Sequence, residues 1–67
     1  MHSFKTSNER LTNGDHLNDD ELRMLEEGYD TMESYLFEMG SEFHLARVEV
    51  SRRLNRVREY LYARSIR

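Results

Sequence analysis

The chain has 67 residues, no cysteine and a formal net charge of −3 at pH 7, with 37% hydrophobic and 34% charged residues. This length allows one domain at most, and a core of that size rarely supplies more than about 3–5 kcal/mol. Without cysteine, disulfides and thiolate sites are excluded, and the three histidines lie too far apart in sequence to predict a metal site. Self-association, as a homodimer or higher, is therefore the expected means of stabilisation.

No run of residues approaches the roughly 20 apolar residues of a membrane-spanning helix. The N-terminal region also lacks the apolar core of a signal peptide. From these two features we expect a soluble, cytoplasmic protein that does not contact a membrane.

Residues 1–17 are polar and show neither helical nor strand periodicity. Asn13-Gly14 is a turn dipeptide, but its flanks lack the alternating β-branched residues that a β-hairpin needs. We therefore predict a flexible, disordered tail over residues 1–17, followed by one helical domain over residues 18–67.

The start of the first predicted helix carries the clearest local signal. Asn18 is placed to cap the first amides, and Glu21, three residues later, can reach back to the Asn18 amide as in a capping box. Leu17 is placed to pack onto Leu22, and three consecutive acidic residues open the helix where its dipole favours negative charge.

Apolar residues then recur at alternating steps of three and four, the pattern of helices packed along a narrow seam. One inserted step after Val50 is a stutter in this pattern. The predicted seam residues are Leu22, Leu25, Tyr29, Met32, Leu36, Met39, Phe43, Ala46, Val50, Leu54, Val57 and Leu61.

Gly40 suits the left-handed residue that closes a helix, and Ser41 suits the cap of the next. We predict an all-α fold, an antiparallel two-helix hairpin with helices at about 19–39 and 42–65, which dimerises into a four-helix bundle or an antiparallel coiled coil. The unbroken register leaves open a single helix of about 47 residues, roughly 70 Å long. Gly28 is either a tolerated exposed glycine or the mark of a close helix crossing.

The two predicted helices carry opposite charges. Residues 19–42 contain nine acidic residues and one arginine, whereas the remainder of the chain beyond them contains seven arginines and two acidic residues. Because like-charged helices repel, the acidic helix should lie antiparallel along the basic one. This arrangement predicts the pairs Glu26–Arg58 and Glu33–Arg47.

Several apolar residues outside the seam have no place in a lone hairpin, which indicates a further interface. We expect a small non-enzymatic regulatory protein, adaptor or inhibitor that binds itself and another protein and needs no cofactor. The candidate partner-binding residues are Asp20, Met24, Glu27, Tyr35, Phe37 and Glu38.

Two other functions stay open. Arginines along the second helix could bind RNA or DNA phosphates and Asn55 a base edge, although the overall acidic charge counts against this. The residues concerned are Arg52, Arg53, Asn55 and Arg56. The other alternative is a structural coiled-coil spacer. No metal-ligand repeat, calcium loop, phosphate-binding glycine loop or catalytic constellation occurs, so we predict neither an enzyme nor a metal site.

Overall fold

The computed structural model describes residues 3–65, which form helices and short connections with no strand among them. Helix α1 spans Phe4–Thr12, α2 spans Asp19–Met39 and α3 spans His44–Ser65. A short 3-10 helix, Ser41–Phe43, joins α2 to α3. The sequence prediction of an all-α fold is confirmed.

Helix α1 is the main departure from the sequence prediction, which expected an irregular tail at this end of the chain. Ser3 caps α1 by accepting a 3.2 Å hydrogen bond from the Thr6 amide. At the other end, the chain turns at Gly14, whose φ of +78° is a conformation that favours glycine. The predicted absence of helical structure is therefore wrong for residues 4–12.

The physical reason is that α1 gains its stability from contacts with the rest of the molecule. Ser7 and Leu11 are buried, and Phe4 packs partly buried against the core. Phe4 and Leu11 are the only large apolar residues of α1, so no periodic pattern marks it in the sequence. Met1 and His2, the rest of the predicted tail before Ser3, lie outside the described residues.

The predicted start of α2 is confirmed. The Glu21 amide donates a 2.8 Å hydrogen bond to the Asn18 side chain, and the Asn18 amide donates to the Glu21 carboxylate at 3.3 Å. Leu17 and Leu22 are both buried in the same apolar cluster. The capping box therefore fixes the point at which the chain enters α2.

Contacts between α2 and α3 pair their residues in reverse order. Arg64, near the end of α3, donates a 2.8 Å hydrogen bond to Asp19 at the start of α2. Arg58 lies 3.5 Å from the Glu26 carboxylate, so this predicted ion pair is confirmed. Opposite charges on the two helices therefore meet along the part of the pair that lies away from the turn.

The other predicted pair, Glu33–Arg47, does not form, although both residues lie in the described range. Glu33 instead accepts a hydrogen bond from the Ser51 hydroxyl. The Arg47 guanidinium lies 4.6 Å from the centroid of the Phe37 ring, a cation–π contact. Charge alone does not decide the partner here, because an aromatic face competes for the arginine.

Gly40 separates α2 from α3. Its φ of +103° is strained for any residue with a side chain, and its amide donates to the Phe37 carbonyl at 3.4 Å. The alternative of one continuous helix is therefore wrong. Ser41 begins the 3-10 turn and makes no side-chain capping hydrogen bond, so α3 starts at His44, slightly later than predicted.

The core lies where all three helices meet. Its buried apolar residues are Leu11, Leu17, Leu22, Leu25, Tyr29, Leu54 and Val57, with Phe4, Val50 and Leu61 packed against them. No comparable cluster is buried toward the turn between α2 and α3 in the part of the chain that the structure describes. We call residues 30–50, which form this turn and the adjoining parts of both helices, the open end.

Candidate protein-binding surface

The structure distributes the predicted seam residues unevenly. Those beside α1 are buried: Leu22, Leu25, Tyr29, Leu54 and Val57. Four others are half-buried: Leu36, Phe43, Val50 and Leu61. Three, Met32, Met39 and Ala46, are exposed, and all three belong to the open end. The seam is thus a buried core at one end of the α2–α3 pair and a partly bare surface at the other.

The position of α1 explains this asymmetry. Ser7 donates a hydrogen bond to Glu21 near the start of α2, whereas Phe4 lies against Gly28, about two turns further along. Helix α1 therefore runs opposite to α2, with its first residue pointing toward the open end. Because α1 has nine residues against 21 in α2, it covers α2 only as far as Gly28 and Tyr29.

The face of α2 that contacts α1 continues uncovered into the open end. Residues four, seven and eleven positions after Gly28 lie on the same side of a helix, and here they are Met32, Tyr35 and Met39. The three side chains are exposed by 41%, 64% and 44%. Helix α2 therefore offers a strip of large apolar side chains directly in line with α1.

Further apolar side chains are exposed at the open end outside this strip. Phe37 is 64% exposed and Leu45, in the first turn of α3, is 82% exposed. Large contiguous apolar patches are uncommon on monomers and usually mark contact with another molecule. A smaller pair of exposed tyrosines, Tyr60 and Tyr62, lies at the far end of α3.

The open end also carries net negative charge. Residues 30–50 contain five acidic residues and a single arginine, a formal charge of −4, whereas the whole chain carries −3. Within residues 3–65, the carboxylates of Glu38 and Glu42 make no hydrogen bond or ion pair. The open end therefore combines apolar side chains with uncompensated negative charge.

Most of the predicted partner-binding residues share one side of α2. Asp20, Glu27, Tyr35 and Glu38 are exposed, and Met24 is half-buried. Their spacing places all five on neighbouring positions of the helix surface, with Tyr35 at the edge that adjoins the α1 side. Phe37 is the exception, because it lies toward α3 beneath Arg47. Only Tyr35, Phe37 and Glu38 belong to the open end.

The structure brings three of the four predicted nucleic-acid residues to one cleft and leaves the fourth outside it. Arg53 turns toward α1 and donates hydrogen bonds to Asn8 at 2.9 Å and to Thr12 at 3.0 Å. Arg52 and Arg56 are exposed and line, with Arg53, a cleft of about 260 Å³ between α1 and α3. Asn55 is exposed on α3 and is not among the residues that line this cleft.

Arg53 belongs to a polar cluster that joins all three helices. The Tyr29 hydroxyl of α2 donates to the Asn8 side chain of α1, to which Arg53 of α3 also donates. Burial raises the pKa of Tyr29 above 10.0, although the neighbouring Arg53 opposes the shift. The Tyr29 hydroxyl is in turn the largest cause that raises the pKa of Arg53. A neutral phenol and a permanently charged guanidinium are typical of a structural hydrogen-bond cluster and not of a proton-transfer site.

A second polar tie holds α1 to the start of α2. The Glu21 carboxylate is 2% exposed and accepts hydrogen bonds from Arg10 at 2.7 Å and Ser7 at 3.3 Å. Arg10 also donates to the His16 carbonyl. Sequence reasoning missed Ser7, Asn8 and Arg10, because isolated polar residues in a short segment carry no periodic signal.

Within residues 3–65, no group of three or more histidine and acidic side chains could hold a metal ion. No helix in the same range has the length and apolar character needed to cross a membrane. Comparison of the chain with models of protein families, with curated proteins and with solved structures finds no match.

Proposed function

We propose that this is a small non-enzymatic regulatory or adaptor protein that acts by binding another protein through its open end. One observation carries the proposal: large apolar side chains stay exposed where α1 stops covering the α2–α3 pair. A partner that covers these side chains would remove apolar surface from water, which stabilises the complex by about 25 cal/mol for each Å² buried. The proposed chemistry is that of a contact surface.

The scaffold suits this role. We propose that α2 and α3 act as an antiparallel helical hairpin braced by α1, so that the open end projects from a firm base. The Arg58–Glu26 ion pair, the Arg64–Asp19 hydrogen bond and the buried Glu21 carboxylate support such a base. Met32 and Met39 add flexible side chains that adapt to a partner's shape.

Affinity capture from the cells that produce the protein, with partners identified by mass spectrometry, tests this function. Met39→Glu and Leu45→Glu place charge on the open end, and because both side chains are exposed the fold should survive. Tyr62→Glu is the matched control, since Tyr62 is 69% exposed at the far end of α3. We expect the first two variants to lose partners that the wild type and the control retain. Identical partners for all four proteins would contradict the proposal.

Nucleic-acid binding is the second candidate. The observation that favours it is the pair Arg52 and Arg56, which are exposed beside one cleft and form no ion pair within the described residues. Replacing both by alanine should abolish binding to RNA or DNA in a gel-shift assay while the helical circular dichroism stays unchanged. No binding by the wild type at low salt would remove this candidate.

A further inference from the structure

We infer that the open end binds an amphipathic helix of another protein, with an apolar face and basic flanks, which lies end to end with α1. This inference rests on the proposed function and deepens it by specifying the chemistry of the partner. It follows from two features: the way in which α1 itself is held, and the charge that surrounds the uncovered surface.

Helix α1 shows how the α2–α3 pair accepts a helix. Its contact residues Phe4, Ser7 and Leu11 are spaced three and four apart, so they form one face. On α3, Arg53 contacts α1, and the residues three and seven positions before it, Val50 and Ala46, lie on the same side of that helix. The surface of α2 that carries α1 thus continues into the open end, and the side of α3 from which Arg53 reaches α1 continues beside it to Val50 and Ala46.

The length of the uncovered surface matches a short helix. Ten residues of α2, from 30 to 39, rise by about 15 Å, which corresponds to nearly three helical turns. A partner segment of about ten residues would therefore span it. No glycine interrupts this part of α2, so the partner would meet Met32, Tyr35 and Met39 rather than a bare backbone.

Charge distinguishes this partner from a second copy of the chain. Two open ends in contact would bring together two surfaces that each carry a formal charge of −4. Like charges across an interface disfavour association, whereas lysine or arginine on the flanks of a partner helix would face the unpaired Glu38 and Glu42. The occupant favoured by the electrostatics is thus a basic helix of a different protein.

Two synthetic peptides of 16 residues test the inference. Both carry Phe or Leu at positions i, i+3, i+7 and i+10, and they differ only in having Lys or Glu on the flanks. Each is titrated into the full-length protein while amide shifts are followed by NMR. We expect the Lys peptide to bind at least about tenfold more tightly, with the largest shifts at Met32, Met39 and Ala46. Equal affinities, or shifts centred on Tyr60 and Tyr62, would overturn the inference.

Two double variants distinguish the effect on binding of charge at the open end from the effect of the overall charge of the protein. Glu38→Gln with Glu42→Gln should weaken binding of the Lys peptide about fivefold. Asp15→Asn with Glu59→Gln removes the same charge from exposed positions outside the open end and should leave the affinity unchanged. Equal weakening by both double variants would show general attraction and overturn the inference.

The remaining outcomes separate the inference from the proposed function. If Met39→Glu abolishes capture of cellular partners while the Lys and Glu peptides bind alike, the function stands and the basic helix is rejected. If sedimentation velocity instead shows a dimer that Met39→Glu dissociates, the surface belongs to a second copy and the inference fails. If neither peptide binds and the variants capture the same proteins, both proposals fail.

Discussion

Gly28 of α2 lies directly against the ring of Phe4 in α1. A Cβ atom built on Gly28 would stand 2.7 Å from Cδ2 of that ring, closer than Cβ atoms approach other heavy atoms in real proteins. The ring also meets Tyr29 edge-on, with centroids 5.3 Å apart and planes at 79°. The glycine in the middle of α2 is thus the place at which α1 docks, so the close helix crossing that Gly28 suggested is made with α1.

Gly28→Ala should therefore destabilise the protein. Alanine favours a helix interior by about 1 kcal/mol over glycine, but its methyl group would displace the Phe4 ring and loosen the docking of α1. We expect the free energy of unfolding, measured in urea, to fall by about 1 kcal/mol. In a Phe4→Ala background the same change should instead stabilise by about 1 kcal/mol. Stabilisation in both backgrounds would mean that the ring moves aside at no cost.

Glu21→Ala should cost more than any change of an exposed acidic residue. It removes the carboxylate that Arg10 and Ser7 bind, and leaves their donors without an acceptor at the α1–α2 junction. Because Arg10 is 36% exposed and can turn to water, we expect a loss of about 2 kcal/mol in urea unfolding. Glu27→Ala, on the exposed side of α2, should change stability by less than about 0.5 kcal/mol. Equal effects of the two variants would show that the buried carboxylate adds nothing.

The parts of the fold that local chemistry determines could be predicted from the sequence. The capping box of Asn18 and Glu21 depends on two residues three positions apart, and the break between the helices depends on Gly40. Both occur as expected. The Glu26–Arg58 pair followed from the opposite charges of α2 and α3. Each of these features can be derived from residue type, spacing and charge.

Helix α1 could not be predicted in the same way, because tertiary contacts stabilise it. Its sequence does hold weak signals: Ser3 as a cap, Phe4 and Leu11 seven residues apart, and Asn13-Gly14 at its end. None of these signals is sufficient to predict a helix unless the packing of α1 against Gly28 is already known. The exposure of Met32 and Met39 follows from where α1 stops, so the candidate surface was equally hidden from sequence reasoning.

Stability should fall in alkaline solution because of Tyr29. The folded state raises the pKa of its hydroxyl above the ordinary value of 10.0, so the folded chain keeps this proton where the unfolded chain has lost it. The contribution is fully present below pH 10.0 and is lost as the pH rises through the pKa of the folded state. Urea unfolding from about pH 8 to 11 measures this loss, and Tyr29→Phe should flatten the profile. An unchanged profile in the variant would exclude Tyr29 as the cause.

Arg52 and Arg53, although adjacent, should respond differently to substitution. Arg53→Ala breaks hydrogen bonds to Asn8 and Thr12 and the ion pair with Glu49, and should lower the free energy of unfolding by about 1.5 kcal/mol. Arg52→Ala removes an exposed side chain without an ion pair in the described residues and should have almost no effect on stability. Urea unfolding of both variants measures the difference. Similar stability of the two variants would show that the hydrogen bonds of Arg53 do not stabilise the packing of the three helices.

Amide hydrogen exchange rates should differ between the two halves of each long helix, α2 and α3. Amides near Leu25 and Tyr29 in α2 and near Leu54 in α3 lie in the core, so their exchange requires the loss of α1 or of the whole fold. Amides near Met39 and Leu45 lie in the open end, where local opening exposes little further apolar surface, and should exchange at least about tenfold faster. Binding of the Lys peptide should slow exchange at the open end and leave the core unchanged. Uniform protection along α2 and α3 would show that the open end is as stable as the core and that α1 is not what stabilises the covered part.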